Sequence, residues 1–323
     1  MQIQDLSQFG LSDEELFSRV DHNELDSEKI MAPRYSYWNS VFRVFFRKKI
    51  NIALLTILAL IMAFAYVYPL FAEYDKFGNL LDASAKHLSP SAAIKKYGFS
   101  IHWILGTGAA GQSTFDAIWF GSRISISLAL VCGAINLTIG VIMGAIWGFS
   151  KKIDIVMMEV YNILANVPYI LIVSVLVMIL TSSFWTLVIA LTITGWLGIA
   201  YFIRTQVVII RNREYNLASK CLGTPLIKIA MRNILPFMTS VIVTLAATEI
   251  PSYISMEVFL GYIGMGLSEM SLGRLIYEAQ SAMVTPGWEF EFWSPVVIAS
   301  IITVVLYVVG QNLADASDPR THM

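Results

Sequence analysis

Apolar runs long enough to cross a lipid bilayer constrain this chain more than any motif in it. A hydrocarbon core of about 30 Å takes about 20 residues of helix at 1.5 Å per residue, and runs of that order start near Ile50, Ile124, Ile155, Phe184, Phe237 and Trp293. The composition agrees: 56% of the 323 residues are hydrophobic and only 14% charged, with a mean hydropathy of +0.65. These values belong to polytopic helical membrane proteins. The expected fold class is therefore an all-α membrane protein of six transmembrane helices, with N and C termini cytoplasmic and short cytoplasmic helices between spans four and five.

The order of charge along the chain sets the expected domains. Residues 1–49 read as a cytoplasmic N-terminal tail, acidic at first, where Ser12 to Glu15 has the spacing of a helix capping box. From Pro33 to Lys49 aromatic and basic residues alternate, as in a helix lying in the membrane interface. The first apolar run starts too late and runs too long for a signal peptide. Residues 50–71 form the first span, 72–119 an extracytoplasmic segment, 120–313 a five-span core and 314–323 a cytoplasmic C-terminal tail. Arg47, Lys48, Lys49, Lys151, Lys152 and Arg320 all fall on one side in this arrangement, as the positive-inside rule requires.

Within the spans, Gly133, Gly140, Gly144 and Gly148 recur at steps that return to one helix face. Such a face lets a neighbouring helix approach closely, and packing within the chain is the simpler reading than dimerisation. Pro168 predicts a kink in the third span, while Asp154 and Glu159 near its start read as interfacial anchors. Glu249 and Glu257 are carboxylates deep in the fifth span. Each is either a satisfied polar group holding helices together or part of a translocation path or gate.

Residues 204–236 interrupt the apolar pattern. Arg204, Arg211, Arg213, Lys220, Lys228 and Arg232 are opposed only by Glu214, so this island stays in water. Its punctuation predicts a helix from Leu217 to Leu222, a left-handed stop at Gly223, Thr224 as N-cap and Pro225 at the next helix's first position. Pro236 ends that second helix or kinks it into the fifth span. Leu226, Ile229 and Ala230 share one face of it, and Lys228 and Arg232 another. Pattern alone leaves two readings: a solvated loop whose charges fix topology, or an element that docks on a partner.

The run Leu217-Ala218-Ser219 followed by Gly223, and then Ile234-Leu235-Pro236, resembles the EAA loop of ABC importer permeases, a Glu-Ala-Ala-x-x-x-Gly element ending in Leu-Pro. Leu217 stands where Glu is usual and Ser219 where the second Ala is. Gly195-Trp196-x-Gly198 and Arg204-x-Gln206 are similar to a stretch of the oligopeptide permeases, with Leu197 replacing Pro. The tail Asp315-Ala316-Ser317-Asp318-Pro319-Arg320 and the run Glu257-x-x-Leu260-x-Tyr262-Ile263-Gly264-x-Gly266 resemble the same family. Near Leu105-Gly106-Thr107 the family's peptide and nickel branch carries charges where this chain has Gly108, Gln112 and Ser113.

The resemblance implies a permease subunit of an ATP-binding cassette importer for peptides, most simply oligopeptides. It implies coupling to ATPase subunits through Leu217, Ala218, Ser219, Gly223, Thr224, Pro225, Leu226, Ile229, Leu235 and Pro236, with Glu257 and Glu249 assigned to the path or gate. The partners it implies are a second permease subunit, two ATPase subunits and an extracytoplasmic substrate-binding protein, around the lipid bilayer and without nucleic acid. The sequence holds no phosphate-binding loop of the G-x-x-x-x-G-K-[ST] kind, so the chain itself is expected to carry no cofactor, ATP and Mg being held by the partner ATPases. No catalytic constellation and no metal-ligand spacing occurs. The alternative is an ion-coupled secondary transporter using Glu249 and Glu257.

Overall fold

A computed structural model describes residues 36–75 and 82–318. Every regular element among them is helical, apart from an isolated bridge between Thr107 and Ser113. The N-terminal capping-box helix and the ends of both tails, Pro319 and Arg320 included, lie outside the described residues. The chain divides into two units, Met1–Ser40 and Val41–Met323.

Among the described residues five helical stretches are long and apolar enough to cross a membrane: Lys49–Leu70, Thr114–Phe149, Phe184–Arg211, Arg232–Tyr262 and Glu289–Ser317. A sixth results if the bent pair Lys151–Ala165 and Tyr169–Ile179 counts as one span. Helix α1 (Tyr37–Arg47) precedes the first of these, with Phe42 and Phe46 exposed and Val41 and Phe45 buried. It falls within the stretch, Pro33 to Lys49, where an interfacial helix is expected. An extended residue, Lys48, separates it from α2 (Lys49–Tyr66).

The segment after α2 folds into a small cap. Its helix α3 (Pro90–Tyr97) has Ser89 as N-cap, Pro90 in the first turn and Gly98 at positive φ as its stop, a sequence of signals that needs no tertiary help. Two carboxylates tie the cap to long helices. Asp116, in the first turn of α4 (Thr114–Phe149), accepts from Tyr68 Oη at 2.5 Å and lies 2.8 Å from His102 Nδ1. Glu291, near the start of the last long helix, lies 2.6 Å from His87 Nδ1, and the His87 ring stacks on Trp288 at 3.5 Å.

Helix α4 starts at Thr114, well before the Ile124 expected for the second span. Asp116 and Arg123 dilute the apolar pattern there, but Ser113 caps the helix by accepting from Asp116 N at 3.1 Å. The glycine face of α4 packs within the chain. A Cβ on Gly140 would stand 2.6 Å from Ile199 Cβ, and one on Gly144 2.5 Å from the Ala200 carbonyl. Both contacts are with α8 (Trp196–Arg211), the most extensive helix partner of α4.

One expected span is sharply broken and another is interrupted by a turn. The third is α5 (Lys151–Ala165) and α6 (Tyr169–Ile179), bent by 78° where a kink was expected. Pro168 stands just before α6 with an extended backbone, so it starts a helix and does not bend one. The fourth is α7 (Phe184–Thr192) and α8, with a turn at 193–195. Because α8 runs to Arg211, Arg204 and Arg211 are helical residues and the island proper starts after them. The remaining elements are α9 (Glu214–Cys221), α10 (Leu226–Ile229), α11 (Thr239–Tyr262), α12 (Leu272–Glu278) and α13 (Glu289–Ser317).

Candidate functional site

The basic island folds as a helix, a sharp turn and a second helix that winds into α11. Helix α9 starts at Glu214, earlier than Leu217, because Asn216 anchors it: buried to 2% exposure, its Nδ2 donates to the Ile210 carbonyl at 2.9 Å and its Oδ1 accepts from Asn233 at 3.1 Å. The helix ends in a double closure, Gly223 N to Lys220 O at 3.0 Å and Thr224 N to Ser219 O at 3.1 Å. This is the Schellman pattern, which needs a left-handed residue between the two donors, and Gly223 supplies it with φ +77°.

The second helix starts one residue later than expected. Lys228 N and Ile229 N donate to the Pro225 carbonyl at 2.9 and 3.2 Å, so Pro225 stands at the cap. A π-helical turn at Ala230–Ile234 and a tight turn at Pro236–Met238 then lead into α11.

Of the residues expected at a docking face, Leu217, Ala218, Gly223 and Pro225 are exposed, Ser219, Thr224 and Leu235 half-buried, and Pro236 exposed. Leu222 adds an apolar side chain that is 86% exposed, and Phe237 another at 72%. Lys228 and Arg232 are exposed as well. Ile229 points the other way. It is buried among Ile199, Ile203, Val207, Ile234 and Met238, so it supports the loop from beneath and its apolar face is not presented outward. The side chain of Leu226 lies outside the described ones.

Beneath the island an ion pair joins three helices. Arg204 on α8 donates to Asp154 on α5, Nε to Oδ1 at 2.9 Å and Nη2 to Oδ2 at 2.8 Å, while Trp147 Nε1 on α4 reaches Asp154 Oδ1 at 2.7 Å. Arg211 also donates to the Gly148 carbonyl. Asp154 is thus a clamp for the α8 arginine, beyond the interfacial anchor expected from its position.

The second candidate site is a cavity of about 410 Å³ where both helix breaks face α11, lined among others by Pro168, Tyr169, Gly195, Glu249 and Tyr253. Broken helices at membrane depth are tolerated where other groups satisfy the freed backbone or where they line a cavity. Both conditions hold here. The Leu191 carbonyl at the α7–α8 break accepts from Tyr169 Oη at 2.7 Å and from Asn136 Nδ2 at 3.2 Å, and Asn136 also donates to Tyr253 Oη at 2.6 Å. Asn136 carries no local sequence signal: one amide in an apolar run is distinguished only by what it reaches.

Glu249 and Glu257 do not share a site. Glu249, half-buried, is the charged residue among those lining the cavity. Glu257 has no exposure at all; its Oε2 accepts from Ser125 Oγ at 2.7 Å, and the same hydroxyl accepts from Leu272 N at 3.0 Å. It locks α4, α11 and α12 together. In the cap that follows α2, hydrogen bonds from Ser84 and then from Lys96 hold the Asp82 carboxyl below the usual carboxylate range. Among the described residues no cluster of three or more His, Cys, Asp or Glu could hold a metal.

A family model described as a binding-protein-dependent transport system inner membrane component matches residues 136–323. The chain belongs to this family. A second model, the N-terminal transmembrane domain of oligopeptide transport permease C, matches residues 36–90. The chain is 45% identical to the oligopeptide transport system permease protein AmiD of Streptococcus pneumoniae, over 96% of this chain and 98% of that one. It is 34% identical to the oligopeptide transport system permease protein OppC of Bacillus subtilis, over 94% of this chain and 97% of that one. Among solved structures, one of the MetNI methionine ABC transporter in inward-facing conformations aligns with a TM-score of 0.50 at 17% identity, covering 61% of this chain and 94% of that chain. That likeness concerns the fold. This inner membrane component is thus a multi-pass membrane protein and the membrane subunit of a transporter, not itself the catalytic one.

Proposed function

We propose that this inner membrane component is one of two permease chains in an ATP-driven importer of peptides, with oligopeptides as the substrate class. The near full-length similarity to a named oligopeptide permease carries the substrate assignment. In this reading the spans number six, both termini face the cytoplasm, and two ATPase subunits and an extracytoplasmic binding protein complete the complex. ATP and Mg belong to the ATPases, and this chain holds no cofactor of its own.

The loop of α9, Gly223 and α10 is the coupling element. Its exposed Leu217, Ala218 and Leu222, flanked by Lys228 and Arg232, form a small apolar patch rimmed by cations that suits a cleft in an ATPase subunit. The stiff closure at Gly223 and the Asn216 anchor would pass its displacement to α8 and α11, which border the cavity. Cavity access then alternates as the helices tilt. Glu249 sits on the path, and Glu257 serves the outer gate by holding α12 against α4 and α11.

Transport assays on vesicles containing the full complex test this reading. Oligopeptide uptake is expected to require ATP and to survive collapse of the proton gradient. Uptake that runs without ATP and stops with an uncoupler would instead support ion coupling through Glu249. Single cysteines supply the topology: reagents applied from outside are expected to label Ser84→Cys and Glu289→Cys but not Ser219→Cys or Ser317→Cys.

A further inference from the structure

Between α1 and α2 the backbone opens at Lys48, and no side chain caps the 18-residue helix that follows. The first N–H groups of such a helix carry partial positive charge. Beside them lies a cavity of about 430 Å³ lined by Arg47, Lys48, Asn51, Asn312 and Asp315 together with the apolar stems of Val44, Phe45 and Ala316. Arg47 and Lys48 are exposed. Asn51 is 1% exposed, and while its Nδ2 donates to the Phe45 carbonyl at 2.8 Å, its Oδ1 has no hydrogen-bond partner among the described residues. A buried amide oxygen left in that state costs about 1–3 kcal/mol, so the site asks for a donor as well as an anion.

The surroundings fix the depth of this site. Phe42 and Phe46 stack at 6.5 Å and are both exposed, as is Ile50 at 65%, so α1 and the start of α2 carry exposed apolar surface as well as cations. That is the level of lipid headgroups. We propose that the cavity binds the headgroup of an anionic phospholipid that carries a free hydroxyl, of the phosphatidylglycerol type. The phosphate lies between Arg47, Lys48 and the start of α2, and a glycerol hydroxyl donates to Asn51 Oδ1. Asp315, which accepts from Gln311 Nε2 at 3.1 Å, lines the α13 side of the same cavity. The bound lipid ties α2 to the end of α13, which bear directly on each other.

Native mass spectrometry of the full complex, exchanged into short-chain phosphatidylglycerol, phosphatidic acid or phosphatidylcholine, tests the assignment. Phosphatidylglycerol is expected to be retained about tenfold over phosphatidylcholine, and Lys48→Gln to lower that retention about fivefold. Asn51→Leu leaves both cations in place and is expected to abolish the preference for phosphatidylglycerol over phosphatidic acid. Equal retention of phosphatidylglycerol and phosphatidylcholine, or no change in either variant, overturns the proposal. Displacement of the lipid by equimolar inorganic phosphate also overturns it, since the site would then recognise a free anion.

Discussion

Arg204 meets Asp154 with two parallel hydrogen bonds, at 2.9 and 2.8 Å, across 50 residues of sequence. The pair is partly accessible, at 19% and 27% side-chain exposure, so its worth lies between that of a surface ion pair and that of a buried one. Geometry raises it, because the planar guanidinium matches the carboxylate on both prongs. Arg204→Lys keeps the charge and loses the fork. It is expected to cost about 1 kcal/mol of stability, with Asp154→Ala costing more because Trp147 also loses its acceptor. A thermal midpoint measured in detergent checks both. If Lys and Ala variants melt with the wild type, the clamp contributes nothing to the joint beneath the island.

The glycine face of α4 makes a prediction of opposite kind, in which adding atoms does the harm. A Cβ at Gly144 would meet backbone, the Ala200 carbonyl at 2.5 Å, and Ile203 Cβ at 2.7 Å. Backbone cannot rotate aside, so α8 has to move. Gly144→Leu is expected to cost about 1–3 kcal/mol by overpacking and to lower the yield of folded protein, whereas Gly198→Ala on α8, with nothing within 4 Å, is expected to be silent. Comparable expression and melting of the two variants would remove α4–α8 contact as the reason for the glycine pattern.

How much of this was legible beforehand depends on the range of the interactions. The glycine face and the left-handed stop at Gly223 are local signals, and each is where the sequence puts it. The helix breaks at 166–168 and 193–195 are not local: the Leu191 carbonyl is satisfied by Tyr169 and Asn136, 22 and 55 residues away. Periodicity puts Ile229 on one face with Leu226 and Ala230 but does not say what covers that face, and the core around Ile203 buries Ile229 within the chain. Glu249 and Glu257, eight residues apart on one helix, are separated by the helix's own rotation and by the arrival of α12. Neither of these arrivals leaves a trace in sequence spacing.

The two carboxylates of α11 accordingly predict different phenotypes. Glu257→Leu strands the Ser125 hydroxyl in a site with no exposure. It is expected to destabilise the chain by about 1–3 kcal/mol and to reduce assembled complex. Glu249→Gln removes a charge from a cavity wall without removing a packing contact. Its thermal midpoint is expected to stay near that of the wild type while the uptake rate per complex, or its dependence on peptide charge, changes. Loss of stability in Glu249→Gln with intact uptake in Glu257→Leu would exchange the roles assigned here.

The turn at Gly223 separates conformational strain from steric contact more cleanly than any other position. Its φ is +77° and nothing stands within 4 Å of the place a Cβ would occupy, so a substitution there meets no neighbour and pays only for the left-handed backbone. For a β-branched residue that cost is roughly 1–2 kcal/mol, while asparagine enters this region readily. Gly223→Val is therefore expected to leave the spans inserted and the melting of the core little changed. The strain is relieved by loosening the closure from Gly223 and Thr224 back to Lys220 and Ser219, which swings α9 relative to α10 and disperses the patch of Leu217, Ala218 and Leu222. Co-purification of the ATPase subunits and substrate-stimulated ATP hydrolysis are expected to fall in Gly223→Val and to hold in Gly223→Asn. If both variants bind the ATPases and transport at the wild-type rate, the loop is a passive connection between α8 and α11, and coupling has to be sought elsewhere on the chain.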